Sequence, residues 1–529
     1  MREIFAGRFS LSDFASWFGT GVILAVLWAF LSTNTSTSEY FPTLPAVWSA
    51  LLEDSATLSR HFWATARSSM AGFALGMLAA ILSTMFTVLW QPARQVFSFI
   101  AIVLYSIPLI AAAPLSALIF GTHSSGTALG CIGAFLPIYL SGIQAGDRAS
   151  RMFGEMERSY GASEWDITRT VRLPLIVRGW FIGAQSGWLW AVLGALLGDF
   201  TGGRWGLGTF LVGTLSRGDP ARVWVIVLLC VLLSLLGLLA IKIAGRVFGT
   251  DSSWDTLEST VPMESTANNK KKRNVATGLA QMAVFLIVWQ FTAWMINIDG
   301  GVFSSPLDLL DLGLSILFGS SEISINYLLI QFGSTFFLAF TGIAVSLTTA
   351  FAVASLQYLF PILSRPVVLG ILITQVTPIV AFIPLIAFYF GRDAASVITI
   401  VVFSTIYPSY TIFLKALDSI PHTALEVIRG FGGNTWAELR KVRIPNAAWM
   451  SVVALRLAVG RAFLGAMTAE YLLTGTGLGG ILGQTRSLLD FRFVWFICAI
   501  IALITFILDV LIHAFERRIR MLTNNFSHG

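Results

Sequence analysis

The stretch E-M-E-R-S-Y-G-A-S-E-W-D-I-T-R-T-V-R-L-P, residues 155–174, recurs at residues 426–445 as E-V-I-R-G-F-G-G-N-T-W-A-E-L-R-K-V-R-I-P. Eight positions keep the same residue type and the same register, 271 residues apart. The matched pairs include Glu155/Glu426, Gly161/Gly432, Trp165/Trp436, Arg169/Arg440, Arg172/Arg443 and Pro174/Pro445. Both copies are charged segments in a largely apolar chain, so we expect them to face a soluble partner rather than lipid.

The rest of the chain has the composition of a polytopic membrane protein. Of its 529 residues, 56% are hydrophobic and only 12% are charged, and the mean hydropathy is +0.77. A soluble domain carries roughly 25% charged residues. Several apolar runs reach the length of about 20 residues that a helix needs to cross a bilayer. The sequence therefore predicts an all-α polytopic membrane protein, whose first apolar run is a retained span rather than a cleaved signal peptide.

Six spans are predicted in each half of the chain. Those of the first half lie near residues 14–32, 62–90, 96–120, 126–146, 177–198 and 222–246. Those of the second half lie near residues 276–297, 331–358, 366–390, 395–416, 449–473 and 493–515. Residues 249–274 are polar and contain a run of four basic residues, which favours a solvated linker over a helical switch element. The predicted modules are therefore residues 1–248 and 275–529.

The repeat extends beyond the charged stretches, at a constant offset of 270 or 271 residues. Its further matched pairs include Phe62/Phe332, Thr65/Thr335, Gly72/Gly342, Pro108/Pro378, Pro114/Pro384, Gly121/Gly391, Asp199/Glu470, Gly206/Gly477 and Gly208/Gly479. Two modules with an even number of spans are predicted to run parallel in the membrane, as a tandem repeat. The G-L-G segments at 206–208 and 477–479 are predicted as tight turns that either touch a solute receptor or serve as ordinary loops.

The distribution of basic residues predicts the orientation. Residues 147–178 and 242–273 and the C-terminal segment carry clusters of Lys and Arg, whereas residues 298–330 contain none. Because cytoplasmic loops are enriched in Lys and Arg, both termini, the linker and both charged stretches are predicted to be cytoplasmic.

Each charged stretch is predicted to form a helix-turn-helix. Gly161 supplies the turn, because glycine tolerates a positive φ. Ser163 is a candidate N-cap for the second helix, and the acidic residues that follow it favour a helix N-terminus. Pro174 lies near the start of the next span, where a missing N–H costs little. An ordinary amphipathic interfacial loop is the alternative, and recurrence in register disfavours it.

These stretches resemble the EAA loop of type I ABC importer permeases, with E-x5-G-x12-P between the fourth and fifth of six spans. The segments F-P-T-L-P-A-V-W at 41–48 and A-E-Y-L-L-T-G-T-G-L-G-G at 469–480 resemble the taurine/nitrate/alkanesulfonate branch. The resemblance covers nearly the whole chain in two copies, where the usual permease has one, and departs from the family's alanines at 156–157 and 427–428. It implies that the loops couple to an ATPase through Glu155, Gly161, Trp165, Glu426, Gly432 and Trp436.

The resemblance also implies the partners and the activity. The partners are two cytoplasmic ATPase subunits, which bind the ATP, an extracytoplasmic solute-binding protein and membrane lipid. The location is a bacterial inner (plasma) membrane. The solute would be a small organic or inorganic anion or a small heterocycle. The chain has no G-x-x-x-x-G-K-[ST] phosphate loop, so we expect a transport subunit that is not an enzyme and holds no cofactor. Its cysteines and histidines lack metal-ligand spacing, and no nucleic-acid partner is expected.

Five residues are candidates for the translocation path. Arg461 lies inside the eleventh predicted span, where an arginine usually faces a partner or water. Glu470 lies nine residues later, about 180° around the helix, which disfavours an ion pair between them but leaves other internal pairs or snorkelling open. Arg456 lies nearer the interface. The weaker candidates have amphipathic or polar tips that need a partner when buried; they are Tyr105, Gln375 and Trp188.

A twelve-span secondary transporter of the major facilitator kind is the main alternative. It also has parallel six-span halves, but it should carry a basic loop between its second and third spans. Here that loop is only residues 91–95, and the large basic loop follows the fourth span. This placement favours the importer. A membrane enzyme would need a cluster of acidic or histidine residues within the spans, which the sequence does not show.

Overall fold

The computed structural model describes most of the chain. The predicted all-α class is confirmed, because regular structure in this part of the chain is helical and contains no strand. Most of the first predicted span, the linker 249–274 and the candidates Tyr105 and Glu155 lie outside it. The described residues are 26, 28–34, 40–90, 93–94, 96–98, 100, 109–152, 159–248, 275–296, 303–319, 323–360, 364–420, 422–448, 450–488 and 490–527.

Helix packing divides the chain into two units. The first unit takes the described residues from 42 to 319 and from 490 to 496. Within it, α4 and α5 lie side by side, and α2 packs against both. Its helices are α1 (Leu44–Glu53), α2 (Ser55–Leu89), α3 (Leu109–Phe120), α4 (Ser125–Met152), α5 (Leu173–Asp199), α6 (Leu207–Arg217), α7 (Pro220–Val247), α8 (Val275–Ile296) and α9 (Pro306–Leu317).

The second unit takes the described residues from 26 to 41, from 323 to 488 and from 497 onward. Here α13 is central and packs against α10 and α15. Its helices are α10 (Ile325–Leu359), α11 (Ser364–Val376), α12 (Ile379–Phe390), α13 (Ala394–Asp418), α14 (His422–Gly430), α15 (Met450–Ala469), α16 (Gly477–Ser487) and most of α17 (Phe491–Ser527).

Eight helices of the described part are long and apolar enough to cross a membrane. They coincide with eight of the predicted spans. The predicted span at 366–390 is not one straight helix, because α11 and α12 are bent by 107° at a short break. Pro378 lies in that break, where it lacks an N–H and restricts the backbone of the residue before it, so a straight helix is interrupted.

Close packing of small residues fixes α5 against α4. A Cβ added at Gly179 would lie 2.5 Å from the Ser141 carbonyl oxygen, and one at Gly183 would lie 2.5 Å from the Pro137 carbonyl oxygen. Glycine at these positions lets the two backbones approach as small residues do in other membrane helix pairs.

Candidate functional site

The first charged stretch forms the predicted turn. We define the first knob as residues 159–172 and the second knob as residues 422–443. Gly161 has a φ of +82°, which glycine adopts without steric cost. Ser163 Oγ accepts a hydrogen bond from Asp166 N at 3.2 Å, and the Asp166 carboxylate accepts one from Ser163 N at 3.2 Å. This reciprocal pair resembles a capping box and confirms Ser163 as the helix cap.

The second knob repeats this geometry with different residues. Gly432 has a φ of +76°, and Asn434 Oδ1 caps the next helix by accepting a hydrogen bond from Ala437 N at 3.0 Å. A Cβ added at Gly161 or Gly432 would meet nothing within 4 Å. A substitution at either glycine is therefore opposed by the backbone conformation and not by a clash within the chain.

Each knob exposes two aromatic side chains at matched positions. Tyr160 is 82% exposed and Trp165 63% exposed in the first knob. Phe431 is 89% exposed and Trp436 54% exposed in the second. Exposed apolar patches of this kind mark interaction sites. Sequence reasoning selected the two tryptophans and missed Tyr160 and Phe431, although an aromatic residue directly before the shared glycine was a visible signal.

Each knob ends in a π-helical turn. The turn comprises Thr168–Arg172 in the first copy and Leu439–Arg443 in the second. Such turns are rare and concentrate at functional sites. In the first copy, Trp165–Asp199 qualifies as one apolar span of 35 residues, so the part of the knob from residue 165 onward and α5 form one continuous helix.

A buried glutamate connects the second knob to the membrane-spanning helices α10 and α13. Glu438 is only 3% exposed, and it accepts hydrogen bonds from Arg429 Nε at 2.6 Å and from Tyr358 Oη at 2.8 Å. Arg443 places its Cζ 4.1 Å from the centroid of the Tyr358 ring and donates to the Leu417 carbonyl oxygen. Because Tyr358 lies in α10 and Leu417 in α13, this network ties the knob to two membrane-spanning helices.

The first knob lacks the buried carboxylate of this network and the tyrosine that donates to it. The hydrogen bond from Arg429 lowers the pKa of Glu438 below its ordinary value, with burial opposing the shift and Tyr358 adding to it. The first copy has Ile167 in place of Glu438 and Val88 in place of Tyr358, and Ile167 is fully buried. Sequence reasoning missed this difference because it compared the positions at which the copies agree.

The end of α5 remote from the knob carries a hydrogen-bonded cluster. The Asp199 carboxylate accepts from Thr65 Oγ1 at 2.7 Å and from Gly208 N at 3.3 Å. Leu207 N donates to Thr65 Oγ1 at 2.7 Å, and Gly206 N donates to a nitrogen of the His61 ring at 3.0 Å. We call this cluster the first distal clamp, since it fixes the start of α6 to both α2 and α5.

The second copy builds the same clamp with a longer carboxylate. The Glu470 carboxylate accepts from Thr335 Oγ1 at 2.8 Å and from Gly479 N at 3.1 Å, and Leu478 N donates to Thr335 Oγ1 at 2.9 Å. Gly477 has a φ of +68°, and a Cβ there would collide with the Glu470 carboxylate. The matched residues of the two copies therefore build a clamp, a role that sequence comparison left unassigned.

Two of the path candidates lie together in the second unit. Arg461 Nη1 donates to Gln375 Oε1 at 2.8 Å. Gln375 belongs to the last turn of α11, directly before the 107° break. The Thr377 hydroxyl at this break is buried and has no hydrogen-bond partner among the described residues. Arg461 thus donates to a side-chain amide just before the point where the helix is interrupted, while Glu470 accepts hydrogen bonds within its clamp.

Arg456 contacts the last helix. Its Nε donates to Asp509 Oδ1 at 2.9 Å, and its Nη1 lies 3.5 Å from Glu516 Oε2, both on α17. These ion pairs satisfy its charge within the second unit. A place for Arg456 in the path stays a prediction.

The remaining candidates are separate from that pair. Trp188 is buried in the first unit, where its Nε1 donates to the Ser234 carbonyl oxygen at 3.1 Å. Glu426 is exposed on α14. Tyr105 and Glu155 lie outside the described residues. The described residues contain no group of three or more His, Cys, Asp or Glu side chains that could hold a metal ion.

Comparison with known families assigns the chain. The profile of the binding-protein-dependent transport system inner membrane component matches it twice, over residues 72–250 and 342–521. The chain belongs to this family. Each match contains one knob, so two type I ABC permease modules are fused in one polypeptide, as the resemblance implies. The protein is an integral inner-membrane transport subunit, and the major facilitator alternative is not favoured.

Named relatives agree with this assignment. RibX, the riboflavin transport system permease protein of Chloroflexus aurantiacus, is 32% identical over 144 residues, which are 27% of this chain and 54% of that protein. SsuC, a putative aliphatic sulfonates transport permease protein of Bacillus subtilis, is 24% identical over 49% of this chain and 91% of its own length. TauC, the taurine transport system permease protein of Escherichia coli, is 23% identical over 47% and 90%.

The last two relatives are matched over most of their length by less than half of this chain, so each corresponds to one module. RibX is matched over about half of its length. No solved structure matches the chain.

Proposed function

We propose that the chain is the membrane-spanning subunit of an ATP-driven importer, and that its two knobs dock on two copies of a soluble ATPase subunit. The observation that carries this proposal is the pair of knobs. Each has a capped turn at a positive-φ glycine and two aromatic side chains exposed to solvent, and each ends in a π-helical turn on the side of the next spanning segment. The clusters of Lys and Arg support a cytoplasmic location for the knobs and for both termini.

The division of labour follows from this arrangement. The ATPase subunits bind ATP, and an extracytoplasmic solute-binding protein delivers the solute to the opposite face. Closure of the two ATPase copies moves the knobs, and α5 and α15 carry the movement towards the distal clamps. The path then opens alternately to the two sides by rigid-body movement of its helices.

The solute is proposed to be a small organic molecule. The names of relatives specify riboflavin, aliphatic sulfonates, taurine and formylaminopyrimidine, which are compounds with a sulfonate group or heterocycles. The pair Arg461–Gln375 offers a cation and an amide at an interrupted helix, and we place it in the path of the second module.

Native mass spectrometry of the complex tests the docking proposal. The chain, coexpressed with the ATPase of its own transport system, should copurify with two ATPase copies. The double substitutions Y160A/W165A and F431A/W436A should each remove one copy. Trp48 is 62% exposed in α1, so Trp48→Ala is the matched control and should retain both. Uptake driven by a proton gradient without bound ATPase would refute the proposal.

A further inference from the structure

A cavity of about 770 Å³ in the first unit has a strongly basic lining. Arg60 and Arg67 of α2, Arg204 of the segment before α6, and His123 between α3 and α4 all border it. Asp199 of the first distal clamp is the carboxylate in the lining. The three arginines outweigh this carboxylate, so the cavity carries a net positive charge. Its volume is in the range of about 300–1,000 Å³ that is usual for small-molecule sites.

The cavity lies where water reaches the protein. Residues 68–90 contain no charged side chain. At 1.5 Å per residue these residues cover about 34 Å, which is enough to cross the hydrocarbon core. Arg67 therefore stands at the edge of the core, and Arg60 stands about 10 Å beyond it along the same helix. This end of α2 is the one remote from the knob, so a solute arriving from outside would meet the cavity first.

The cations in this cavity converge without a carboxylate partner. The Cζ atoms of Arg60 and Arg204 lie 5.7 and 5.8 Å from the centroid of the same Trp205 ring. Among the described residues, neither these two arginines nor Arg67 forms an ion pair. Like charges around one cavity repel each other until an anion enters. Guanidinium groups bind planar or tetrahedral oxyanions through paired N–H donors.

The second copy shows that the arginines are not needed to build the fold. It has Ile330, Phe337 and Gly475 at the positions of Arg60, Arg67 and Arg204. The distal clamp nevertheless forms there, with the Glu470 carboxylate bound to Thr335. A structural requirement for the three cations would apply to both copies. Their restriction to one copy points to a ligand.

We infer that this cavity binds the anionic group of a small organic solute at the outer entrance of the path. Arg60, Arg67 and Arg204 hold a sulfonate, carboxylate or phosphate group, and the indoles of Trp63 and Trp205 form walls for its apolar body. The second module has Ile330, Phe337 and Gly475 at the positions of these arginines, so we assign the site to the first module alone. The inference deepens the proposed import function and rests on it for the role of the ligand as cargo.

Binding of a sulfonate probe to the purified full-length chain tests the site. The chain is placed in nanodiscs of phosphatidylcholine and titrated with benzenesulfonate, with saturation-transfer NMR as the readout. The uncharged analogue benzenesulfonamide should bind at least about tenfold more weakly, because it lacks the charge that the guanidinium groups bind. This comparison uses the unaltered chain and does not depend on the folding of any variant.

Variants locate the binding. Arg67→Gln and Arg204→Gln should each weaken benzenesulfonate binding by about tenfold. Arg217→Gln is the matched control, since Arg217 is exposed at the end of α6 and does not line the cavity. Equal losses in all three variants would show non-specific charge attraction. Unchanged binding in Arg67→Gln and Arg204→Gln, or no saturable binding in the millimolar range, would overturn the inference.

A second set of nanodiscs, which contain an anionic lipid, distinguishes a free solute from a lipid headgroup as the source of the anionic group. Nanodiscs that contain phosphatidylglycerol should leave benzenesulfonate binding unchanged. If phosphatidylglycerol abolishes it, the cavity is a lipid headgroup site and the solute assignment is wrong. The assay needs no ATPase, so its failure would leave the docking proposal intact. Conversely, loss of ATPase copurification together with intact binding would reject docking and keep the site.

Discussion

Replacing Glu438 by glutamine should loosen the second knob and leave the first unchanged. The substitution keeps the size of the side chain but replaces the charged carboxylate with a neutral amide. The two carboxylate oxygens accept hydrogen bonds from Arg429 at 2.6 Å and from Tyr358 at 2.8 Å. A hydrogen bond to a charged group contributes about 1.5–3 kcal/mol, and a neutral amide retains part of it. We therefore expect the local stability of the second knob to fall by about 1–2 kcal/mol, which raises its open fraction roughly five- to thirtyfold.

Hydrogen–deuterium exchange of the full-length chain in nanodiscs measures this effect. Peptides that cover residues 422–443 should exchange faster by roughly the same factor of five to thirty, and peptides that cover residues 159–172 should not change. Lys441→Gln is the matched control, because it removes a charge from an exposed side chain of the same knob. Unchanged exchange in Glu438→Gln, or an equal acceleration in Lys441→Gln, would refute a role for the buried glutamate.

The same contact predicts a pH dependence with a defined sign. Arg429 lowers the pKa of Glu438 in the folded chain. The carboxylate therefore stabilises the second knob fully above the pKa of an unfolded glutamate, and this contribution is lost as the pH falls through the lowered value. After correction for intrinsic exchange rates, the knob should lose protection on acidification. Glu438→Gln should lack this component, and an identical acid response in the two proteins would contradict the assignment.

Three further predictions concern the turns, the clamps and the path. Gly161→Leu and Gly432→Leu should impair ATP-dependent uptake but not membrane insertion, since a Cβ at positive φ costs about 1 kcal/mol or more; normal uptake at equal expression would exclude a coupling role. Thr335→Val should lower the free energy of unfolding in detergent by about 1–3 kcal/mol, because it removes a partner of a buried carboxylate, whereas Thr348→Val, at an exposed position of α10, should not; equal melting temperatures would contradict the clamp. Arg461→Gln should impair uptake while the ATPase still copurifies, and normal uptake would identify Arg461 as structural.

The knobs and the spans could be predicted because their signals are local. A glycine with a cap residue two positions later specifies a turn and a helix start, as Gly161 and Ser163 show. Apolar runs of sufficient length specify spanning helices. The repeat then strengthened every local signal by presenting it twice.

The contacts that hold these elements together could not be derived in the same way. Glu438 meets Tyr358 across 80 residues, and Arg461 meets Gln375 across 86. No periodicity within one helix reports which face of a distant helix it will meet. The break before α12 was not predicted because the run at 366–390 keeps the length and composition of one span, although Pro378 and Pro384 lie inside it. The arginines of the first-unit cavity lie on separate elements and converge only in the folded chain.

The continuous helix from Trp165 to Asp199 has a mechanical consequence. Its 35 residues make a lever arm about 52 Å long. A tilt of about 10° at the knob would displace the far tip by about 9 Å, several times the length of a hydrogen bond. No loop interrupts this helix. A displacement at the knob therefore either tilts the whole helix or is absorbed by a change in the winding of the π-helical turn. The stiffness of the π-helical turn, Thr168–Arg172, would then determine what fraction of the knob's displacement is transmitted to the Asp199 end of the helix.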